Sequence, residues 1–238
     1  QGKSITEIEY AYIILTDDGV AIVTKNGKKG VINSSGKLIV DMQYDKMYPF
    51  SAGKLRAKKG DKWGVIDYKG KTVIPFVYDV ISEPLGGVVK ARKNKKFGLM
   101  TMSAKPISPF AYNYISLAKD GKSCIAKKGE FYTILDPVSG KELTPCKYTE
   151  LFFNNDYISS GIKNDGEETV GVIDRQGKEQ IPCAYRRIDY YKNGIAIVEN
   201  KMNEYGLVAK GGKELTPIIY NRIVPVKGGF VVSGNRTE

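Results

Sequence analysis

The chain has 238 residues, of which 42% are apolar and 26% charged, and its net charge is +11. That apolar fraction excludes a disordered polyelectrolyte, and no apolar run reaches the length of a membrane-spanning helix. With no histidine and only three cysteines, the chain lacks the commonest general base and metal ligand and cannot be a disulfide scaffold.

Taken in order from the N-terminus, the chain repeats itself. Tyr10, Tyr44, Tyr78, Tyr112, Tyr148, Tyr185 and Tyr220 are separated by 34, 34, 34, 36, 37 and 35 residues. A period of this size predicts a repeat architecture in which each unit buries its apolar face against its neighbours. Three residues after the tyrosines stand Ile13, Met47, Ile81, Ile115, Leu151, Ile188 and Ile223. Two residues before them stand Ile8, Met42, Phe76, Phe110, Cys146, Cys183 and Ile218. Both sets are apolar, so both are expected in the core.

Each unit is expected to hold four short strands. The first follows the tyrosine. The second follows a glycine nine residues on (Gly19, Gly53, Gly87, Gly121), as in Gly19-Val-Ala-Ile-Val23. The third follows an aromatic-glycine pair, Trp63-Gly64, Phe97-Gly98 or Tyr205-Gly206, weakened to Lys29-Gly30, Val170-Gly171 and Phe131-Tyr132. The fourth follows a Gly-Lys turn, as at Gly36-Lys37, Gly70-Lys71, Gly140-Lys141, Gly177-Lys178 and Gly212-Lys213, with Ala104-Lys105 as the exception. Asp67-Tyr-Lys-Gly70 reads as a type I turn with glycine in the left-handed position. Pro75, Pro145, Pro182 and Pro217 close fourth strands, where a missing N–H is least costly. The extra residues of the longer units are placed in Asp136–Gly140 and in the polar stretch Ile162–Glu168.

The sequence Lys62-Trp63-Gly64-Val65-Ile66-Asp67, followed by Gly70-Lys71, Ile74-Pro75 and Tyr78-Asp79, resembles the bacterial WG-repeat (KWG-repeat) family. Val170-Gly-Val-Ile-Asp174, Gly177-Lys178 and Ile181-Pro182 carry the same pattern, and the resemblance extends over nearly the whole chain. It implies a structural repeat without catalytic residues, associated with exported or surface proteins. The start at Gln1 is read as a processed or trimmed N-terminus, which with the resemblance gives an expected periplasmic, surface or secreted location.

The expected fold is all-β: about six and a half tandem antiparallel meander repeats of 34–37 residues in a single domain spanning 1–238. An open superhelical solenoid is favoured over a closed β-propeller. Lys3–Glu9 resembles a fourth strand and Tyr220–Gly234 the first two, so a ring would lack a third strand in its last blade.

The clearest surface signal is basic charge. Lys54 to Lys71 holds seven basic and two acidic residues, and Lys90 to Lys105 six basic and none acidic. In the second strands Leu55, Ala57, Val89 and Ala91 are phased inward, and Lys54, Arg56, Lys58, Lys90 and Arg92 outward. Aligned units would join these cations into a stripe, extended by Lys93, Lys95 and Lys96, able to attract an anionic polymer. The competing reading is a solubilising face that guards strand edges. The phased tyrosines read as core rather than as sugar platforms. Tyr48, Tyr114, Tyr157, Tyr190 and Tyr191 break phase and are the better ligand candidates. Cys146 and Cys183 are expected buried, and Cys124 outward-facing. Asp67 and Asp174 are read as turn-forming acids. No catalytic residue, metal site or cofactor is expected. These features point to a non-catalytic binding or scaffold module whose partner is a protein or an anionic polymer, with nucleic acid disfavoured for want of free stacking aromatics. The alternatives are a glycoside-active enzyme with paired carboxylates and a purely structural repeat.

Overall fold

The computed structural model describes residues 9–154 and 157–234. Every element in them is a β-strand or a turn, and the strands form seven antiparallel sheets, each a meander that starts just after a phase tyrosine. Sheet one holds β1 (Tyr12–Leu15), β2 (Ala21–Lys25), β3 (Lys28–Ile32) and β4 (Leu38–Tyr44). Sheet two holds β5 (Lys46–Phe50), β6 (Lys54–Lys59), β7 (Lys62–Asp67) and β8 (Thr72–Tyr78). Sheet three is β9 (Val80–Ile81), β10 (Val88–Lys93) and β11 (Lys96–Thr101), and sheet four is β12 (Tyr114–Leu117), β13 (Cys124–Lys128) and β14 (Phe131–Leu135). Sheet five holds β15 (Glu150–Phe153), β16 (Ile158–Asn164), β17 (Glu167–Ile173) and β18 (Glu179–Tyr185). Sheet six holds β19 (Arg187–Lys192), β20 (Ile195–Glu199) and β21 (Tyr205–Ala209), and sheet seven β22 (Arg222–Val226) and β23 (Gly229–Ser233). The expected strand at Lys3–Glu9 lies, but for Glu9, outside the described residues.

The chain divides into two compact units. One comprises Gln1–Ile115 with Lys119–Gly121 and Pro137–Gly140, the other Ser116–Ala118, Lys122–Asp136 and Lys141–Glu238. Within each, successive sheets pack face to face. In the first unit Ile22, Val31, Val40 and Tyr44 of sheet one meet Met47, Leu55, Ala57 and Ile66 of sheet two. The opposite face of sheet two, with Phe50, Val65, Ile74 and Tyr78, meets Ile81, Val89, Ala91 and Met100 of sheet three. In the second unit Val172, Ile181 and Tyr185 pack against Ala196, Val198 and Val208 in the same phase. Sheet two is therefore covered on both faces, which is why Val65 and Ile66 are buried as a consecutive pair rather than in alternation.

The residue three after the tyrosine is buried as expected in sheets two to five and in sheet seven, but Ile13 is 54% exposed. Of the residues two before the tyrosine, Ile8 lies outside the described residues and the others are half-buried rather than core; Met42, Phe76, Phe110, Cys183 and Ile218 lie over the glycine of the pair at the sheet margin. A Cβ on Gly64 would stand 2.8 Å from the Phe76 ring and from the Ile74 carbonyl; one on Gly98 would meet Phe110 at 3.0 Å, and one on Gly206 would meet Ile218 at 2.6 Å. The pair thus needs glycine for close approach of the fourth-strand segment, not for its backbone angles.

Two expectations are corrected by register. Ala126 pairs with Thr133, as Ala57 pairs with Gly64 and Ala91 with Gly98. The weakened pair of sheet four is therefore Tyr132-Thr133, not Phe131-Tyr132, and one of the unit's two extra residues lies before β13. That shift turns Cys124 inward: it is fully buried, not outward-facing. Cys146 and Cys183, expected buried, are only partly so, like the other residues at their phase.

Among the described residues the fourth strand forms in three sheets. Four residues before the tyrosine stand Val40, Ile74 and Ile181 in sheets one, two and five, and Ser108, Thr144 and Thr216 in sheets three, four and six. In the second group the hydroxyl accepts the N–H of Leu99, Ile134 or Leu207 at 2.9, 3.0 and 2.9 Å. A side-chain acceptor satisfies a donor of the third strand, and the fourth segment is reduced to isolated bridges such as Phe97 with Tyr112. The Gly64→Ala substitution is expected to lower stability by about 1–3 kcal/mol. A shift in the denaturant midpoint without a change in slope checks it.

Candidate functional site

The recurring polar residues are placed by the same meander. Asn33, Asp67 and Asp174 open the turn before the fourth strand. The Asp67 carboxylate accepts the N–H groups of Lys69 and Lys71, both at 2.9 Å, and Asp174 accepts those of Gln176 and Lys178. Gly70 takes φ +80° in that turn, where only a residue without Cβ sits free of strain. These acids are turn residues, as expected.

At the other end of the strands, the residue after the tyrosine is a staple where it is Asp45, Asp79 or Asn113. Asp45 accepts Lys28 Nζ at 2.5 Å from its own sheet and the Gly60 N–H at 2.8 Å from the next. Asp79 repeats this with Lys62 Nζ at 2.5 Å and the Lys95 N–H at 3.2 Å. Lys96 reaches Asn113 at 3.1 Å in the same manner. The Lys28 and Lys62 hydrogen bonds, helped by the backbone donors, hold both carboxyls below the usual aspartate range.

The cations of the anticipated stripe divide into two groups. Arg56 and Lys90 are structural ties. The Arg56 guanidinium donates to the Ile81 carbonyl at 2.6 Å, pairs with Glu83 at 3.2 Å, and lies 5.3 Å over the Trp63 ring and 5.6 Å over Tyr48. Lys90, its equivalent one sheet on, donates to the Ile115 carbonyl at 3.2 Å and lies over Phe97. Arg92 also covers Phe97. Lys54 folds back onto the Ala52 carbonyl, and Lys58 stands 4.0 Å from Asp61. Lys93 and Lys95 are exposed at the tip of the β10–β11 hairpin, beside the stapled Lys96. The residues β6 and β10 turn toward the next sheet are thus spent on packing, and the tip lysines are those facing water. The sequence showed the alternation but not what each outward face meets.

The buried phase tyrosines serve as core: Tyr44 stacks on Phe76 at 5.7 Å, and burial drives the Tyr148 hydroxyl up to about 12. Of the phase-breaking aromatics, Tyr48 and Tyr114 are exposed and Tyr157 is half-buried, while the side chains of Tyr190 and Tyr191 lie outside the described ones. Burial pushes the Cys146 and Cys183 thiols upward, away from the thiolate form.

Two open clefts were not anticipated. One, of about 330 Å³, is lined by Leu15, Asp17, Asp18, Pro49, Phe50 and Tyr68 among others; Tyr68 donates to Asp18 at 2.7 Å. The other, of about 270 Å³, is lined by Glu167, Glu168, Thr169, Arg186 and Lys201. There Glu167 is paired with Lys201, and Glu168 accepts from Thr149. No group of three or more potential metal ligands occurs among the described residues. No helix of the described residues is long and apolar enough to cross a membrane.

The family model for the WG containing repeat matches residues 1–28, 30–63, 63–97 and 171–201. These stretches make up more than half of the chain, so the chain belongs to the WG-repeat family. No curated protein shows significant sequence similarity to it. Among solved structures it is similar to a eukaryotic initiation factor, at 11% identity and a TM-score of 0.44 over 86% of this chain and 64% of that one. It is also similar to Kluyveromyces lactis Hsv2, with 8% identity, a TM-score of 0.37 and coverage of 84% and 78%. The Neurospora crassa Pan2 WD40 domain gives 11% identity, a TM-score of 0.32 and coverage of 95% and 86%. The chain spans less than two thirds of the initiation-factor chain.

Two outcomes are expected. Arg56→Met, which keeps a long apolar stem but removes the cation and its hydrogen bond, should cost about 1–2 kcal/mol in equilibrium unfolding. Because Asp45 and Asp79 are depressed in the folded state, their contribution is full above the ordinary aspartate value and lost as pH falls below about 4. A variant with Asp45→Asn and Asp79→Asn should show a flatter fall in melting temperature over that acid range. An unchanged acid limb would mean the staples carry no stability.

Proposed function

We propose that this WG-repeat chain is a non-catalytic binding or scaffold module, which presents a repeated β surface to an anionic polymer or a protein partner. The observation that carries this reading is how the recurring polar groups are used. Asn33, Asp67 and Asp174 shape turns, Asp45 and Asp79 staple successive sheets, and Arg56 and Lys90 tie each sheet to the next. Polar side chains spent on geometry leave the surface charge as the feature open to a partner. Asp18, Glu167 and Glu168 of the two clefts are engaged by Tyr68, Lys201 and Thr149, which disfavours a free acid–base pair of the glycosidase kind. An open superhelix remains our preferred arrangement of the repeats, on the logic of stacked units whose number is free.

The test joins binding to catalysis. The chain should be retained on an anionic resin beyond physiological salt and pass through a neutral one. Incubation with a panel of polysaccharides should release no reducing ends. Release that scales with protein concentration would replace this reading with the enzymatic one.

A further inference from the structure

We infer that the hairpin tips of the first unit form a seat for a linear anionic polysaccharide; this rests on the binding-module reading above and names its partner. Three hairpins, β2–β3, β6–β7 and β10–β11, turn at the same end of their sheets. Lys25 and Lys28 flank the first tip and Lys62 the second, but they are paired with Glu9, Asp45 and Asp79. The tip cations not neutralised by a carboxylate among the described residues are Lys59 at the second tip, which reaches Gln43, and Lys93, Lys95 and Lys96 at the third. The two-residue turns are Asn26-Gly27, Gly60-Asp61 and Asn94-Lys95. In the third, Lys95 holds φ +64°, the left-handed region that the first turn fills with Gly27 at φ +74°. A lysine there is strained where glycine would be free, and the Asp79 staple on its N–H holds it in place. Strain kept at an exposed cation is a sign that the charge, not the turn, is what the position supplies.

The chemistry of the seat narrows the partner. The tips carry lysine, a point charge without the planar fork that grips phosphate in two hydrogen bonds. The arginines Arg56 and Arg92 are set back over aromatic rings. Trp63 and Phe97, the nearest aromatics, are half-buried and already carry Arg56 or Arg92 and Lys90 over their rings, which makes them poor platforms for a base. Spaced ammonium groups without stacking surfaces suit a flexible chain of carboxylate- or sulfate-bearing sugars held by long-range attraction.

The experiment measures affinity of the full chain for polyguluronate-rich alginate across a salt series. The comparison is a tip variant (Lys59→Gln, Lys93→Gln, Lys95→Gly) and a control of equal charge at the other end of the sheets (Lys69→Gln, Lys71→Gln, Lys105→Gln). The tip variant should weaken binding and flatten the slope of log K against log salt by roughly one per lysine removed. The control should bind like the parent. Lys95→Gly alone should weaken binding while raising the melting temperature, which separates loss of charge from loss of fold. Equal weakening by both triple variants would overturn the tip assignment in favour of diffuse charge. Tighter binding of single-stranded DNA than of alginate at the same salt would overturn the partner class. If the parent itself binds no polyanion, the failure lies with the binding-module reading rather than with the tips.

Discussion

Everything in this fold depends on burial between successive sheets. A single meander of three or four short strands has too little apolar surface to hold its own shape. Sheet two is stable because Met47, Leu55, Ala57 and Ile66 are covered from one side and Val65, Ile74 and Tyr78 from the other. Each such Val, Leu or Ile contributes about 1.5–3 kcal/mol when removed from water. The constraint is therefore spacing: a sheet must lie close enough for its neighbour's tyrosine, phenylalanine and branched side chains to interdigitate. The glycine of the aromatic-glycine pair serves that demand indirectly. It lets the fourth segment draw in, so that Phe76 can lie over Gly64 and still stack on Tyr44 of the preceding sheet.

Polar residues follow from the same geometry. Sheets stacked in register put backbone groups of one beside side chains of the next, and an unpaired buried donor or acceptor is costly. At the exposed tips Asp45 and Asp79 bridge sheets, each bonding its own sheet's lysine and a neighbour's N–H. Arg56 and Lys90 answer that cost midway along the strands, where each donates to a carbonyl of the following first strand. From sheet one to sheet four the period of the sequence is thus also a period of cross-sheet hydrogen bonds.

Much of this was legible in the sequence. The tyrosine spacing gave the units, the turn residues gave their hairpins, and the alternation in β6 placed Leu55 and Ala57 inward and the cations outward, as found. What stayed hidden was set by partners distant in sequence. One added residue before β13 turned Cys124 from the outward to the buried face, because a strand has a period of two and a shift of one exchanges its faces. The outward face of β6 looked like free surface, yet the next sheet lies against it, and Arg56 became a tie. Nothing local distinguishes an outward arginine that meets water from one that meets a carbonyl.

The fourth strand shows how little is needed to change a unit without breaking the repeat. The position four residues before the tyrosine is apolar where the ladder forms and Ser or Thr where it is lost. A hydroxyl at Ser108 takes the Leu99 N–H that a ladder would otherwise have to satisfy, and the Leu99 carbonyl receives the N–H groups of Ile107 and Ser108. The backbone of the third strand stays satisfied, so the outer segment can bend away at little cost. The following residue is proline in five units and Asp41 in the first, and both discourage pairing of the exposed edge with another chain. The change stays within the fourth segment, whose phase tyrosine is still buried, as at Tyr112 and Tyr148. The strands that carry the stacking contacts keep the same pairing, Ala57 with Gly64, Ala91 with Gly98 and Ala126 with Thr133, even where a residue is added before β13.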